Sequence, residues 1–145
     1  MKSDELYQEV LLQHSRHPRN YGPLEHPTHR AEGYNALCGD EVTVEAVVTD
    51  GVVAAIQFQA SACAICTASA SIMTCEAANL AEPDVAALAH SFRRLATDGE
   101  ADLSTEVRPA LDVMGTIHRF PQRVKCATLP WETLTAALRN GRLRE

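Results

Sequence analysis

The sequence has no apolar run long enough to cross a bilayer. Its longest runs, such as residues 52–56, fall far short of the roughly 20 residues that a spanning helix needs. The start, Met1-Lys2-Ser3-Asp4-Glu5, lacks the apolar stretch of a secretory signal. Basic excess is also missing. Thirteen Lys and Arg stand against nineteen Asp and Glu, giving a net charge of −6. Nucleic acid and membrane are therefore not expected as partners, since phosphate binding needs a basic face. There is no internal repeat, low-complexity tract or linker, and 145 residues suit one domain spanning 1–145. Apolar residues make up 46%, enough for one core and too much for a disordered chain.

The pattern of what is present predicts helices around a small sheet. Leu6, Val10 and Leu11 recur at helical spacing over residues 4–14, with Asp4 available as a cap. Pro18 and Pro23 end that helix, and a polar loop runs to about Arg30. Residues 31–35 read as a short edge strand. The clearest signal is a β-hairpin. Val42, Val44, Ala46 and Val48 alternate with Thr43, Glu45 and Thr49. After the turn pair Asp50-Gly51, Ala54, Ile56, Phe58 and Ala60 alternate with Ala55, Gln57 and Gln59. Period two with one apolar face needs helices to cover it. Helices are expected at 65–80, from Pro83 to Thr97, from Ser104 to Met114, and at 131–139. Gly115 and Pro121 interrupt the chain before Cys126. The architecture is α+β: a small antiparallel β-sheet covered by helices.

Five cysteines, Cys38, Cys63, Cys66, Cys75 and Cys126, form an odd set. Without a signal peptide, that count fits a reducing cytoplasm rather than a disulfide framework. Cys38 is expected in the loop before the hairpin, Cys63 between the second strand and the next helix, and Cys126 just before the last helix. Loops and helix starts expose thiols and favour thiolates, and Arg123 and Lys125 flank Cys126. Gly39 lets the chain turn tightly between Cys38 and Asp40, so both side chains can face one point. Three thiolates and a carboxylate make a four-ligand set that zinc accepts in tetrahedral geometry; iron accepts the thiolates.

Along almost the whole chain the sequence resembles the U-type iron–sulfur cluster assembly proteins, the family of the NifU N-terminal domain, IscU and SufU. The motifs are Tyr7, His14-Ser15-Arg16-His17-Pro18-Arg19-Asn20-Tyr21-Gly22, Cys38-Gly39-Asp40, Cys63-Ala64-Ile65-Cys66-Thr67-Ala68-Ser69-Ala70-Ser71, and Arg123-Val124-Lys125-Cys126-Ala127-Thr128-Leu129-Pro130-Trp131. Lys125 stands where IscU-like scaffolds carry a histidine ligand, and the stretch from Cys63 to Cys126 is longer than theirs; both features point to the SufU branch. The resemblance implies a SufE/NifU-like fold and zinc on Cys38, Asp40, Cys63 and Cys126. It also implies that Cys38 accepts persulfide sulfur from a PLP-dependent cysteine desulfurase of the SufS type, with other cluster assembly proteins as further partners. Zinc-dependent sulfur transfer is the first expectation. Assembly of a transient [2Fe–2S] cluster, or iron binding, on the same ligands is the alternative. Ala36, Ala62 and Cys66 depart from the usual Pro, Gly and Ser of the pattern.

Plainer readings stand beside these. Cys63-x-x-Cys66 could be a redox pair, but the βαβ setting of such pairs is missing. Cys66 reads equally as a packed helix residue or a reactive thiol, and Cys75 as a core thiol. A zinc site serving only to staple the fold is the third function considered, though a closed Cys/His set would suit it better. The histidines are expected as surface or hydrogen-bonded residues rather than ligands, with His26 and His29 in a polar loop. Lys125 either solvates the site, tunes Cys126 or pairs with Asp40. Arg139, Arg142 and Arg144 answer the dipole of the last helix.

Overall fold

A computed structural model describes residues 3–99 and 114–143. The first helix, α1, spans Ser3–Arg16, so Asp4 lies inside it rather than at its cap. Strands β1 (His29–Asn35), β2 (Asp40–Thr49) and β3 (Val52–Ser61) follow. Helix α2 (Ala64–Ala77) leads through the two-residue strand β4 (Leu80–Ala81) into α3 (Glu82–Asp98). A short 3-10 turn, Ile117–Arg119, precedes α4 (Pro121–Arg139). The helix expected from Ser104 lies, up to Met114, outside the described residues. No described helix is long and apolar enough to cross a membrane.

The four strands form one antiparallel sheet in the order β1-β2-β3-β4. Asp50 and Gly51 both take positive φ, 52° and 79°, which is the twist a two-residue hairpin turn requires. The alternation of β2 is kept: Val42, Val44, Ala46 and Val48 are buried. On β3 it is interrupted. A register shift beside Val47 and Val48 leaves Ala54 without a partner, so Val53 faces the core with Ile56 and Phe58 while Ala54 is exposed. The helical end of α2 comes at Ala77, earlier than expected, because the following residues return to pair with β3.

The apolar sheet face is covered by α4, which lies on β1 and β2, and by α2 on β3. Gly33 makes the approach of α4 close, since a Cβ there would overlap the side chain of Thr133. Helix α2 presents Ala68, Ser69, Ala70 and Ser71, all fully buried, so it can lie near both α1 and α4. Phe92 of α3 stacks on Trp131 of α4 with centroids 4.7 Å apart. Each fully buried residue of this size contributes on the order of 1.5–3 kcal/mol through removal from water.

The His14–Gly22 stretch acts as a clasp. His14 Nδ1 lies 2.8 Å from Ser71 Oγ, and the same hydroxyl accepts the Arg19 N–H at 2.9 Å. Asn20, at φ 56°, donates its amide to Thr74. Tyr21 OH donates to Ala60 O and accepts the Ala60 N–H. The motif thus ties the end of α1 to α2 and β3. His118 bonds Gly115 O, while His17 and His90 are exposed. His29 departs from the expected polar loop: it opens β1, is buried, and bonds Thr28.

Candidate metal centre

Antiparallel pairing brings three separate pieces of chain to one end of the sheet. Residues 36–39 form the tip of the β1–β2 hairpin, closed by the Gly39 N–H donating to Asn35 O at 2.8 Å. Cys38 sits on that tip, with Gly39 at φ 71° providing the reversal. Asp40 opens β2 and is 1% exposed. The far end of β3 reaches the same edge, because Ser61 pairs with Glu41. Cys63 follows as the N-cap of α2, its Sγ accepting the Cys66 N–H. Helix α4 supplies Cys126.

The side-chain donors of Cys38, Asp40 and Cys126 all lie within 4.8 Å of one another. The Cys126 and Cys38 sulfurs are 3.5 Å apart. Cys63 lies outside that mutual trio but touches it: its N–H donates to Asp40 Oδ1 at 2.9 Å, and its Sγ is 3.9 Å from Oδ2. Cys38, Cys63 and Cys126, with Gln122 and Arg123, line a cleft of about 290 Å³. Leu37, next to Cys38, is 82% exposed, so this tip projects into solvent.

Several expectations are corrected. Cys126 is not ahead of the last helix but inside it, as its sixth residue. Pro121 initiates that helix at its first turn instead of interrupting the chain, as proline's fixed φ and missing N–H allow. Pro130 lies within the same helix. Arg123 and Lys125 are exposed, and Lys125 makes no ion pair with Asp40 among the described residues. They do not make Cys126 acidic. Burial, then hydrogen bonds with Asp40, Cys38 and Cys63, push its thiol well above the ordinary value. Cys38, Asp40 and Cys126 crowd together with Cys63 against Asp40, so without a cation their protons are retained, and a bound cation would take the place of those protons. The donor set therefore fits a metal such as zinc.

Cys66 is fully buried, and burial, then the neighbouring Asp40, Cys63 and Cys38, push its thiol far up. That is the packed reading, not a redox pair. Cys75 is exposed rather than packed, because it lies on the face of α2 opposite Cys66. Asn35 is expected as the end of a strand and as the first residue of the Asn35-Ala36 pair near Cys38, without a part in the centre, yet its amide reaches Cys126 Sγ at 3.9 Å. Its signal was its place, three residues before Cys38, where asparagine side chains commonly bond a turn.

An α+β domain with a cysteine- and aspartate-lined cleft at one sheet edge is the class of protein that emerges. Residues 6–144 match the NifU-like N terminal domain, and the chain belongs to that family. It is 30% identical over 140 residues to the iron-sulfur cluster assembly scaffold protein IscU of Streptococcus pyogenes serotype M1, covering 97% of this chain and 87% of that protein. It is 29% identical over 131 residues to the zinc-dependent sulfurtransferase SufU of Bacillus subtilis, covering 90% and 88%. The crystal structure of FiSufU from Fervidobacterium islandicum AW-1 superposes with a TM-score of 0.83 at 27% identity, covering 94% of this chain and 99% of that one. The α+β sheet-and-helix expectation holds in this fold.

Proposed function

We propose that this protein is a zinc-dependent sulfur acceptor for iron–sulfur cluster assembly, holding zinc on Cys38, Asp40, Cys63 and Cys126. The observation that carries the reading is the contrast within the cluster. Cys38 is exposed on a hairpin tip, while Asp40 and Cys126 are buried and Cys63 is pinned at a helix N-cap. One thiol can meet a partner while three donors stay in place. Zinc bound here would supply the positive charge that keeps the thiols deprotonated.

The donor would be a cysteine desulfurase carrying a persulfide. The Cys38 thiolate attacks the outer sulfur of that persulfide. The S–S bond breaks, the desulfurase cysteine leaves as a thiolate, and Cys38 becomes the persulfide. One sulfur moves, and no external oxidant or reductant is needed. The cleft beside Cys38 gives the donor access, and the exposed Leu37 offers an apolar contact next to the reacting atom. The naming of a Bacillus subtilis relative as a zinc-dependent sulfurtransferase supports this reading, as does Lys125 in place of a histidine.

Protein purified without oxygen should be colourless with one zinc per chain. After incubation with desulfurase and cysteine, mass spectrometry should find one added sulfur on the peptide containing Cys38. Cys38→Ala should keep some zinc and no longer stimulate the desulfurase. Brown protein carrying iron and sulfide would favour the scaffold role named for the streptococcal relative. Added sulfur on Cys66 or Cys126, with Cys38→Ala still active, would remove Cys38 from its role.

A further inference from the structure

We infer that Asn35 is a positioning residue of this centre, whose side-chain amide ties the Cys38 turn to the Cys126 sulfur and thereby sets how tightly the centre holds metal. The inference rests on the ligand set proposed above.

Asn35 ends β1 directly opposite Asp40 and is 7% exposed. Both polar ends of its side chain and its backbone oxygen are engaged. The backbone oxygen accepts the Gly39 N–H at 2.8 Å, closing the turn. Oδ1 accepts the Leu37 N–H at 3.3 Å. Nδ2 is directed at Cys126 Sγ, 3.9 Å away across 91 residues of sequence. The amide orientation follows from the first contact of the side chain. A backbone N–H can only donate, so Oδ1 must face Leu37 and the NH2 group must face sulfur.

This arrangement divides the labour of the two adjacent thiols. Cys126 is held by the amide of Asn35 and by its helix. Cys38 touches Cys126 but stays exposed at the tip. An N–H donor placed on a thiolate stabilises the charge it carries when metal is bound. Groups that hold a ligand in this way typically change metal affinity about 10–100-fold when lost. Asparagine is the suitable residue because it offers an acceptor to the turn and a donor to the sulfur at once. Aspartate would keep the first and set a negative charge against the second.

The test uses the full chain with Asn35→Asp and Asn35→Ser. Both keep an oxygen for the Leu37 N–H, and neither places an N–H on Cys126. Zinc affinity is measured by chelator competition, and the cobalt-loaded proteins by absorption. Expected are an affinity loss of about 10-fold or more for Asn35→Asp, a smaller loss for Asn35→Ser, and a sulfur-to-cobalt band moved to lower energy in both. Wild-type affinity and an unchanged band in the two variants, while Cys126→Ser loses metal, would overturn the role of Asn35 and leave the ligand set standing. Full affinity in Cys126→Ser would remove the ligand set and this inference with it. If Asn35→Asp fails to fold, Asn35→Ser decides. A loss of affinity in Asn35→Ser matched by lower melting of its metal-free form, with an unchanged band, would make Asn35 purely structural and also overturn the proposal.

Discussion

Cys126 holds its sulfur 3.5 Å from that of Cys38 across 88 residues of chain, yet one thiol is buried on a helix and the other exposed on a turn. Proximity makes them candidates for one metal. The difference in burial makes them unequal as ligands, and the predictions below follow from that inequality.

Single substitutions should rank the donors. Cys126→Ser and Cys63→Ser should lose most bound zinc, since each removes an anchored thiolate. Asp40→Ala should open one position and loosen the metal, and Cys38→Ala should retain more than the two serine variants. Zinc per chain and chelator competition measure this. Full stoichiometric zinc at unchanged affinity in every variant would mean that another set of residues binds it.

Metal removal should lower stability. The donors lie on three separated segments, so a bound cation joins the β1–β2 tip, α2 and α4. Anything that binds only the native state adds its binding free energy to folding. A strong chelator should lower the melting temperature, and added zinc should restore it. Identical melting curves for zinc-loaded and demonstrably metal-free protein would contradict this coupling.

Cys66 should be dispensable for metal. Its thiol is fully buried among core residues. Cys66→Ala should keep stoichiometric zinc and cost on the order of 1 kcal/mol through the small cavity it leaves. Cys66→Ser should also keep zinc, while placing a hydroxyl in the core. Denaturant unfolding and metal analysis separate the two effects, and loss of zinc in both variants would make Cys66 a ligand.

His14 should make the clasp acid-sensitive. Burial, then the charge of Arg19, hold its imidazole below the ordinary 6.5, with Glu76 opposing them. The folded state therefore binds fewer protons than the unfolded state. Stability should fall as pH drops below about 6.5 and level off below the folded value. The neutral ring suits the contact with Ser71, whose hydroxyl already accepts the Arg19 N–H. In His14→Gln the decline between pH 7.5 and 5 should be shallower than in the wild type. Parallel stability curves would show that His14 does not couple to folding.

The sequence by itself determined the hairpin, the helices that cover the sheet in outline, and which cysteines and aspartate to look for at one end of it. Those signals are local: the alternation from Val42 to Val48, the Asp50-Gly51 turn, Pro83 at a helix start, and cysteines in recognisable company. It also carried the family, through motifs spread along the chain. Tertiary structure decided the rest, because each remaining point depends on what another segment covers. Ala54 turned outward because one extra residue broke the register with β2. Cys66 and Cys75 are nine residues apart on α2 and so lie on opposite faces: Cys66 turns in toward Asp40 and Cys63 and is buried, while Cys75 is exposed. Cys126 belongs to a helix that begins at Pro121, where a proline reads locally as a break as readily as a start. The acidity expected of Cys126 from two neighbouring cations gave way to burial beside three other would-be anions. The link from Asn35 to Cys126 spans 91 residues, and the close seat of α4 on β1 at Gly33 brings those two side chains together.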